Sequence, residues 1–169
     1  DFEIIVVNDG STDPRVEEIL QEYTRLHSRV RLVAKPNEGL TRALIDGCAI
    51  SRGEYIARID AGDVMLPGRL AAQARVLDEH PECAFVSCWT EFCGPQWEAL
   101  WLTKGAPRSA EPVSVLPNDS LQGLLGDVPH HGSVMFRRSA YECVGGYRNE
   151  FYFGQDWDLW YRLAEAGSY

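Results

Sequence analysis

Tyr55-Ile56-Ala57-Arg58-Ile59-Asp60-Ala61-Gly62-Asp63 is an apolar run that stops at two acids three residues apart. Apolar and β-branched residues ending in a turn-forming Ala-Gly read as a strand of a parallel sheet, here Tyr55 to Ile59. Ligands in open α/β sheets bind where strands end. Asp60 and Asp63 are therefore candidate ligands for a hard divalent cation, which takes carboxylate oxygens and bridges to phosphates. A turn residue at Asp60 and a helix start at Asp63 account for the same letters, and this stretch alone does not separate the two readings.

Outward from this strand, apolar runs alternate with helical periodicity. Phe2 to Val7 is a strand that ends in Asn8-Asp9-Gly10-Ser11-Thr12-Asp13-Pro14. Asp13 is a good helix N-cap and Pro14 a good first helical residue. Val16, Ile19, Leu20, Tyr23 and Leu26 recur at helical spacing, predicting a helix to about His27. Val30 to Ala34 is a second strand. A turn at Pro36-Asn37-Glu38-Gly39 leads to a helix with Leu40, Ala43, Leu44, Gly47 and Cys48 on its buried stripe. After Pro67 a third helix carries Leu70, Ala74 and Leu77 and stops at His80-Pro81, because proline disfavours helical geometry in the residue before it. This alternation is the signature of parallel βαβ units. Further strands are expected at Ala84 to Cys88, near Trp97 to Thr103 and at Ser133 to Phe136. Short helical segments are expected at Leu121 to Leu125 and Ser139 to Val144, and a last helix opens at Gln155. The segment from Gly94 to Asn118 has no sustained period and, the strand aside, reads as a loop that covers a site or recognises an acceptor.

Composition excludes several classes. The 169 residues fit a single domain, and the 45% hydrophobic content is that of a globular protein. A formal charge of −9 argues against nucleic acid or an anionic membrane surface as the main partner. No apolar run reaches the length of a membrane span, and no signal-peptide pattern opens the chain. Five cysteines, with no CxxC pair, favour free thiols in a reducing, cytoplasmic compartment. Cys83, Cys88 and Cys93 read as small core residues. The chain opens directly on a strand and closes at a Gly-Ser helix stop, as a piece of a longer protein would.

Dinucleotide, P-loop, zincin and serine-hydrolase motifs are lacking. Three acidic clusters remain: Asp9, Asp60 with Asp63, and Asp156 with Asp158. In a parallel sheet the loops after Val7 and Ile59 emerge on one edge, which would bring Asp9 close to Asp60. Like charges gathered there cost energy unless a cation or ligand offsets it. For Asp9 alone an Asx turn is the simpler reading.

Taken in order, Asn8-Asp9-Gly10-Ser11, Asn37-Glu38-Gly39-Leu40, Gly53 to Asp63, Gly145-Gly146-Tyr147 and Gln155-Asp156-Trp157-Asp158-Leu159 resemble the motifs of family 2 glycosyltransferases. The resemblance spans nearly the whole chain. It implies a Rossmann-like glycosyltransferase A-type α/β fold, with a mainly parallel central sheet flanked by helices. In the family's pattern Asp9 contacts the nucleotide, with Asn37 and Asp60 beside it. Asp63, supported by Asp60, would bind Mn or Mg on the donor diphosphate. Asp156 would deprotonate the acceptor hydroxyl. His131 matches a histidine the family often carries near the site, although a plain loop histidine beside His130 is the simpler reading; Arg58 is adjacent to the site. The implied partners are a nucleotide-sugar donor and a saccharide or lipid-linked saccharide acceptor, in surface polysaccharide synthesis at the inner face of the membrane. The family's first strand and C-terminal region are not in this chain.

Chemistry independent of the resemblance agrees with it. Departing diphosphate charge needs a carboxylate-held cation, and an incoming hydroxyl needs a base. Attack from the face opposite the leaving group inverts the anomeric centre. Asp158 reads as a capping or pairing residue. The chain departs from the family at Gly62, where an acid usually precedes the last one, and at Gln155, where a Glu is usual. A sugar nucleotidyltransferase and a binding module that lost activity are the alternative readings.

Overall fold

The computed structural model describes residues 1–102 and 128–166. The chain begins with β1 (Ile4–Asp9), α1 (Pro14–Leu26), β2 (Val30–Lys35) and α2 (Leu40–Ile50). β1 and β2 are parallel, in register from Ile4 opposite Val30 to Asp9 opposite Lys35. The sequence signals at α1 act as expected. The Asp13 carboxylate accepts from the Arg15 amide at 3.0 Å, and Pro14 occupies the first turn. The α1 stripe is amphipathic but shallow, for Ile19, Tyr23 and Leu26 are each about half exposed or more.

Next come β3 (Tyr55–Ala57), α3 (Arg69–Glu79), β4 (Phe85–Val86), β5 (Glu91–Cys93) and β6 (Ala99–Leu102). A short 3-10 turn at His131–Ser133 leads into β7 (Met135–Arg137), followed by α4 (Arg138–Cys143) and α5 (Gln155–Ala166). The expected helix at Leu121 to Leu125 and most of the loop from Gly94 to Asn118 lie outside the described residues.

The mainly parallel central sheet that was expected is only partly seen among the described strands, where β1 and β2 are the parallel hydrogen-bonded pair. β7 sits between β3 and β4 and runs antiparallel to both, with Phe136 opposite Ile56 on one side and Phe85 on the other. β3 is hydrogen-bonded to β7 and not to β1. An antiparallel strand within an otherwise parallel arrangement is a common way to build a mixed sheet. β5 and β6 form a separate antiparallel hairpin. β3 and β4 are also shorter than expected, although the Arg58 amide still donates to the Val134 carbonyl at 3.0 Å.

The core lies on the β3–β7–β4 sheet. Phe85, Val134, Phe136, Leu159, Trp160 and Leu163 are essentially inaccessible to solvent. Phe85 stacks on Trp160 with ring centroids 5.4 Å apart. α5 therefore packs directly on the sheet, and its first turn is fixed relative to the strand ends. Cys83 belongs to this interior, whereas Cys93 is exposed, against the expectation of a core residue. Cys93 sits on the β5–β6 hairpin, at the end of β5. Among the described residues no helix is long and apolar enough to cross a membrane.

Candidate active site

The acids after β3 are held by a tight turn. The Asp63 amide donates to the Asp60 carbonyl at 3.2 Å, and Gly62 occupies the third position with φ of +98°. A turn with positive φ at that position strongly favours glycine. The missing second acid is thus a consequence of the turn's backbone. The turn aims both side chains at Gly132: a Cβ added there would meet Asp63 Oδ2 at 3.1 Å and Asp60 Oδ2 at 3.4 Å. Arg58, with a side chain only 10% exposed, pairs with Asp60 Oδ1 through Nη2, while its buried Nε has no partner. Arg69 Nη2 donates to the Arg58 carbonyl at 3.1 Å, and Gln73 Nε2 to the Ser133 carbonyl at 2.8 Å, so α3 clamps both walls.

His131 lies beside Gly132 and is buried. Its Nε2 is 2.8 Å from the Tyr147 hydroxyl, and its ring meets Trp160 edge-on. Burial, aided by Arg58, pushes the imidazole down to about 4 against the opposing pull of Asp156 and Asp60. The ring is therefore neutral at pH 7. Burial pushes the Tyr147 phenol well above its usual value, so its hydroxyl keeps its proton.

Both acids at the start of α5 lie in its first turn, where the helix dipole favours negative charge. Their surroundings differ. Asp158 is bound by Arg162 at 2.5 Å and Arg148 at 3.3 Å. Arg162 also donates to the Val144 and Gly146 carbonyls, both at 2.7 Å. Asp158 is therefore a pairing residue that ties the Gly145-Gly146 loop to α5. Asp156 is half-buried and, among the described residues, takes part in no hydrogen bond or ion pair.

Asp9 belongs to a second cluster. Its carboxylate accepts from the Glu38 amide at 3.0 Å and the Gly39 amide at 2.8 Å, and the Asn37 side-chain amide donates to its carbonyl at 2.9 Å. Asp9 thereby fixes the turn before α2. Asp9 and Asp60 share no hydrogen bond or ion pair, and β1 does not pair with β3, so the sheet-edge argument for their proximity does not apply. The segment before α5 connects the clusters: Thr41 Oγ1 donates to the Phe151 carbonyl at 2.6 Å, and Tyr152 packs near Gly39.

The structure thus gathers Asp60, Asp63, Arg58, His131 and Asp156 around the 3-10 turn, and Asp9 with Asn37 around the start of α2. Sequence reasoning missed Gly132 and His130, which carry no local motif, and Tyr147, which appeared only as part of a Gly-Gly-Tyr motif. A cavity of about 1340 Å³ opens between the 59–69 segment and the β5–β6 hairpin, with Asp60, Asp63, Gly132 and His130 among its walls.

Among the described residues, no three His, Cys, Asp or Glu side chains stand ready as a metal cluster. Two carboxylate oxygens converging over a glycine fit a hard cation whose remaining ligands come from phosphate and water. Asp60 and Asp63 would hold it.

Comparison with known proteins accords with this layout. The model of the family described as glycosyl transferase family 2 matches residues 1–145. The O-antigen biosynthesis protein RfbC of Myxococcus xanthus is 32% identical over 99% of the chain, which spans 12% of that protein. The putative glycosyltransferase EpsE of Bacillus subtilis (strain 168) is 30% identical over 98% of the chain, which spans 57% of its length. Among solved structures, S. aureus TarS aligns over 99% of the chain and 47% of its own, with a TM-score of 0.66 and 18% identity. A Pyrobaculum calidifontis mannosyltransferase, solved with GDP-Man and Mn2+, aligns over 91% of the chain and 40% of its own, with a TM-score of 0.59 and 20% identity. These structures share the glycosyltransferase A-type α/β fold, and the chain belongs to glycosyl transferase family 2.

Proposed function

We propose that this chain is the catalytic domain of an inverting glycosyltransferase that moves a sugar from a nucleoside-diphosphate donor to an acceptor hydroxyl. The observation that carries the reading is the contrast between acids. Asp60 and Asp63 point together over Gly132, and Asp156, on a separate element beside His131, has no hydrogen bond or ion pair among the described residues, whereas neighbouring Asp158 is consumed by two arginines. Asp9 and Asn37 hold the nucleoside end of the donor. Asp63 and Asp60 would hold a divalent cation, Mn or Mg, which would supply positive charge to offset that of the departing diphosphate. Arg58 keeps Asp60 oriented.

Asp156 takes the proton of the acceptor hydroxyl as its oxygen bonds to the anomeric carbon. The bond from that carbon to the diphosphate oxygen breaks, and its electron pair leaves with the phosphate. Attack opposite the leaving group inverts the centre. His131, neutral and held by Tyr147, forms the wall between the cation-binding acids and the base. Relatives that include an O-antigen biosynthesis protein and chondroitin synthase favour a saccharide acceptor in polysaccharide synthesis.

Calorimetry with UDP and GDP, each with and without Mn2+, tests the donor side. Asp63→Asn is expected to remove the metal-dependent part of nucleotide binding. Asp156→Asn is expected to lower turnover by about 10²–10⁴-fold while leaving that binding within twofold. Unchanged turnover in Asp156→Asn, or nucleotide binding indifferent to the metal and to Asp63, would reject the assignment.

A further inference from the structure

Thr41 is the second residue of α2 and is only 5% exposed. Its Oγ1 donates to the Phe151 carbonyl at 2.6 Å, across 110 residues of chain. A threonine hydroxyl inside a helix usually bonds the carbonyl one turn back. Thr24 in α1 does so, donating to the Leu20 carbonyl at 2.8 Å. Thr41 stands in the first turn of its helix, where no helical carbonyl lies behind it, so its hydroxyl is available to another segment. A buried hydroxyl needs such a partner.

On one side of this bond is the turn fixed by Asp9. The Gly39 amide donates to the Asp9 carboxylate at 2.8 Å, and the Gly39 carbonyl accepts from the Ala43 amide at 3.1 Å. The Tyr152 ring lies at the same junction, 3.5 Å through Cε2 from the place a Cβ on Gly39 would take. On the other side is the approach to Asp156, which follows Phe151 by five residues. The Phe151 amide donates to the Arg148 carbonyl at 3.1 Å, and the Gly154 carbonyl accepts from the Asp158 amide at 3.0 Å in the first turn of α5. The body of α5 is pinned by Leu159, Trp160 and Leu163 in the core. Its first turn, which carries Asp156, is therefore set from two directions, by the core beyond it and by Thr41 before it.

We propose that Thr41 is a positioning residue that couples the nucleotide end of the site to the base, so that a nucleotide held at Asp9 orders the segment leading to Asp156. The inference rests on the glycosyltransferase reading for the roles of Asp9 and Asp156. A ligand that braces the turn from Asp9 to Gly39 braces the start of α2, and the Thr41 hydroxyl passes that restraint to Phe151.

The test is backbone hydrogen exchange of the whole chain, read on the peptide covering residues 150–157, with and without UDP or GDP in the presence of Mn2+, beside calorimetry of the same nucleotides. In the native protein the nucleotide is expected to slow exchange in this peptide. Thr41→Val keeps the side chain's shape and removes the hydroxyl. Exchange in the peptide is then expected to rise about tenfold and to lose its response to nucleotide, while nucleotide affinity changes by less than about threefold. Thr41→Ser restores the native behaviour, and Thr41→Ala gives the same readout as the Val variant if that variant fails to fold. A response to nucleotide that is equal in the native protein and in Thr41→Val reduces Thr41 to a structural contact and overturns the coupling. Native protein that binds nucleotide with no change in this peptide overturns it as well and leaves the donor reading standing. Native protein that binds neither UDP nor GDP overturns the donor reading and this inference together.

Discussion

The segment from β1 to α2 and the segment from β3 to α5 each end a strand in acids, but they hold those acids in opposite ways. In the first, both oxygens of Asp9 are used by backbone amides at the start of α2. In the second, Asp60 and Asp63 point toward a glycine and are met only in part by Arg58. Packing follows the same division. Every large side chain that is fully buried lies beyond residue 76, while Thr41 and Ala43 are the buried residues of the described helices and strands before β3. The first segment is ordered mainly by hydrogen bonds and ion pairs, the second by close packing. An acid held by backbone amides shapes a turn and keeps its remaining lone pairs in a fixed direction, and an acid left facing a cavity can meet a cation.

Core truncation gives the largest expected difference between the two. Phe136 is 1% exposed and stacks on Tyr141, so Phe136→Ala is expected to cost about 3–5 kcal/mol. Ile19 on α1 is 50% exposed, and Ile19→Ala is expected to cost about 1 kcal/mol or less. Urea unfolding of both variants checks this. Equal losses would mean that α1 contributes to the core as α5 does.

Gly10→Ala attacks the first segment where it is most constrained. Gly10 has φ of +75°, and an added Cβ would stand 2.6 Å from the Asn37 amide nitrogen. Backbone strain of this kind costs about 1–3 kcal/mol. Because the clash falls on Asn37 and the turn fixed by Asp9, nucleotide affinity should fall together with melting temperature, while Mn2+ binding in the absence of nucleotide stays within twofold. Calorimetry separates the two. A variant that loses both equally would show the clusters to be one unit.

The first segment was also the more legible in the sequence. Asp13, Pro14 and the stripe from Val16 to Leu26 are local signals, and each acts within a few residues of its position. The direction of β7 was not legible, because nothing within Ser133 to Phe136 states which way a strand enters a sheet. β5 went unread because three residues carry no periodicity, and its hairpin depends on Trp97 at φ of +63°, a conformation that bulky residues rarely adopt. At the site, Asp60 and Asp63 announced themselves at the end of an apolar run. The glycine and histidine that meet them come from far along the chain, and only folding makes them neighbours.

The smallest expected effect concerns the ion pairs that tie β1 to its surroundings. The Glu3 carboxylate accepts from Arg31 at 2.9 Å, from the Arg52 amide at 2.7 Å and from the Arg52 side chain. These contacts, led by the hydrogen bond from Arg31, hold its carboxyl well below the usual carboxylate range, at about 2. A folded-state value below the unfolded one means that the contribution is fully present above the ordinary glutamate value, near pH 4.5, and is lost as pH falls toward 2. The side chain keeps 18% exposure, and solvent screening reduces the contribution to about 1 kcal/mol. Glu3→Gln should therefore lower stability in urea at pH 7 by roughly that amount and narrow its gap to the parent as the pH drops from 4.5 to 3. A gap that stays constant across this range would assign the loss to packing, and the first segment would then resemble the second more than its exposed helix suggests.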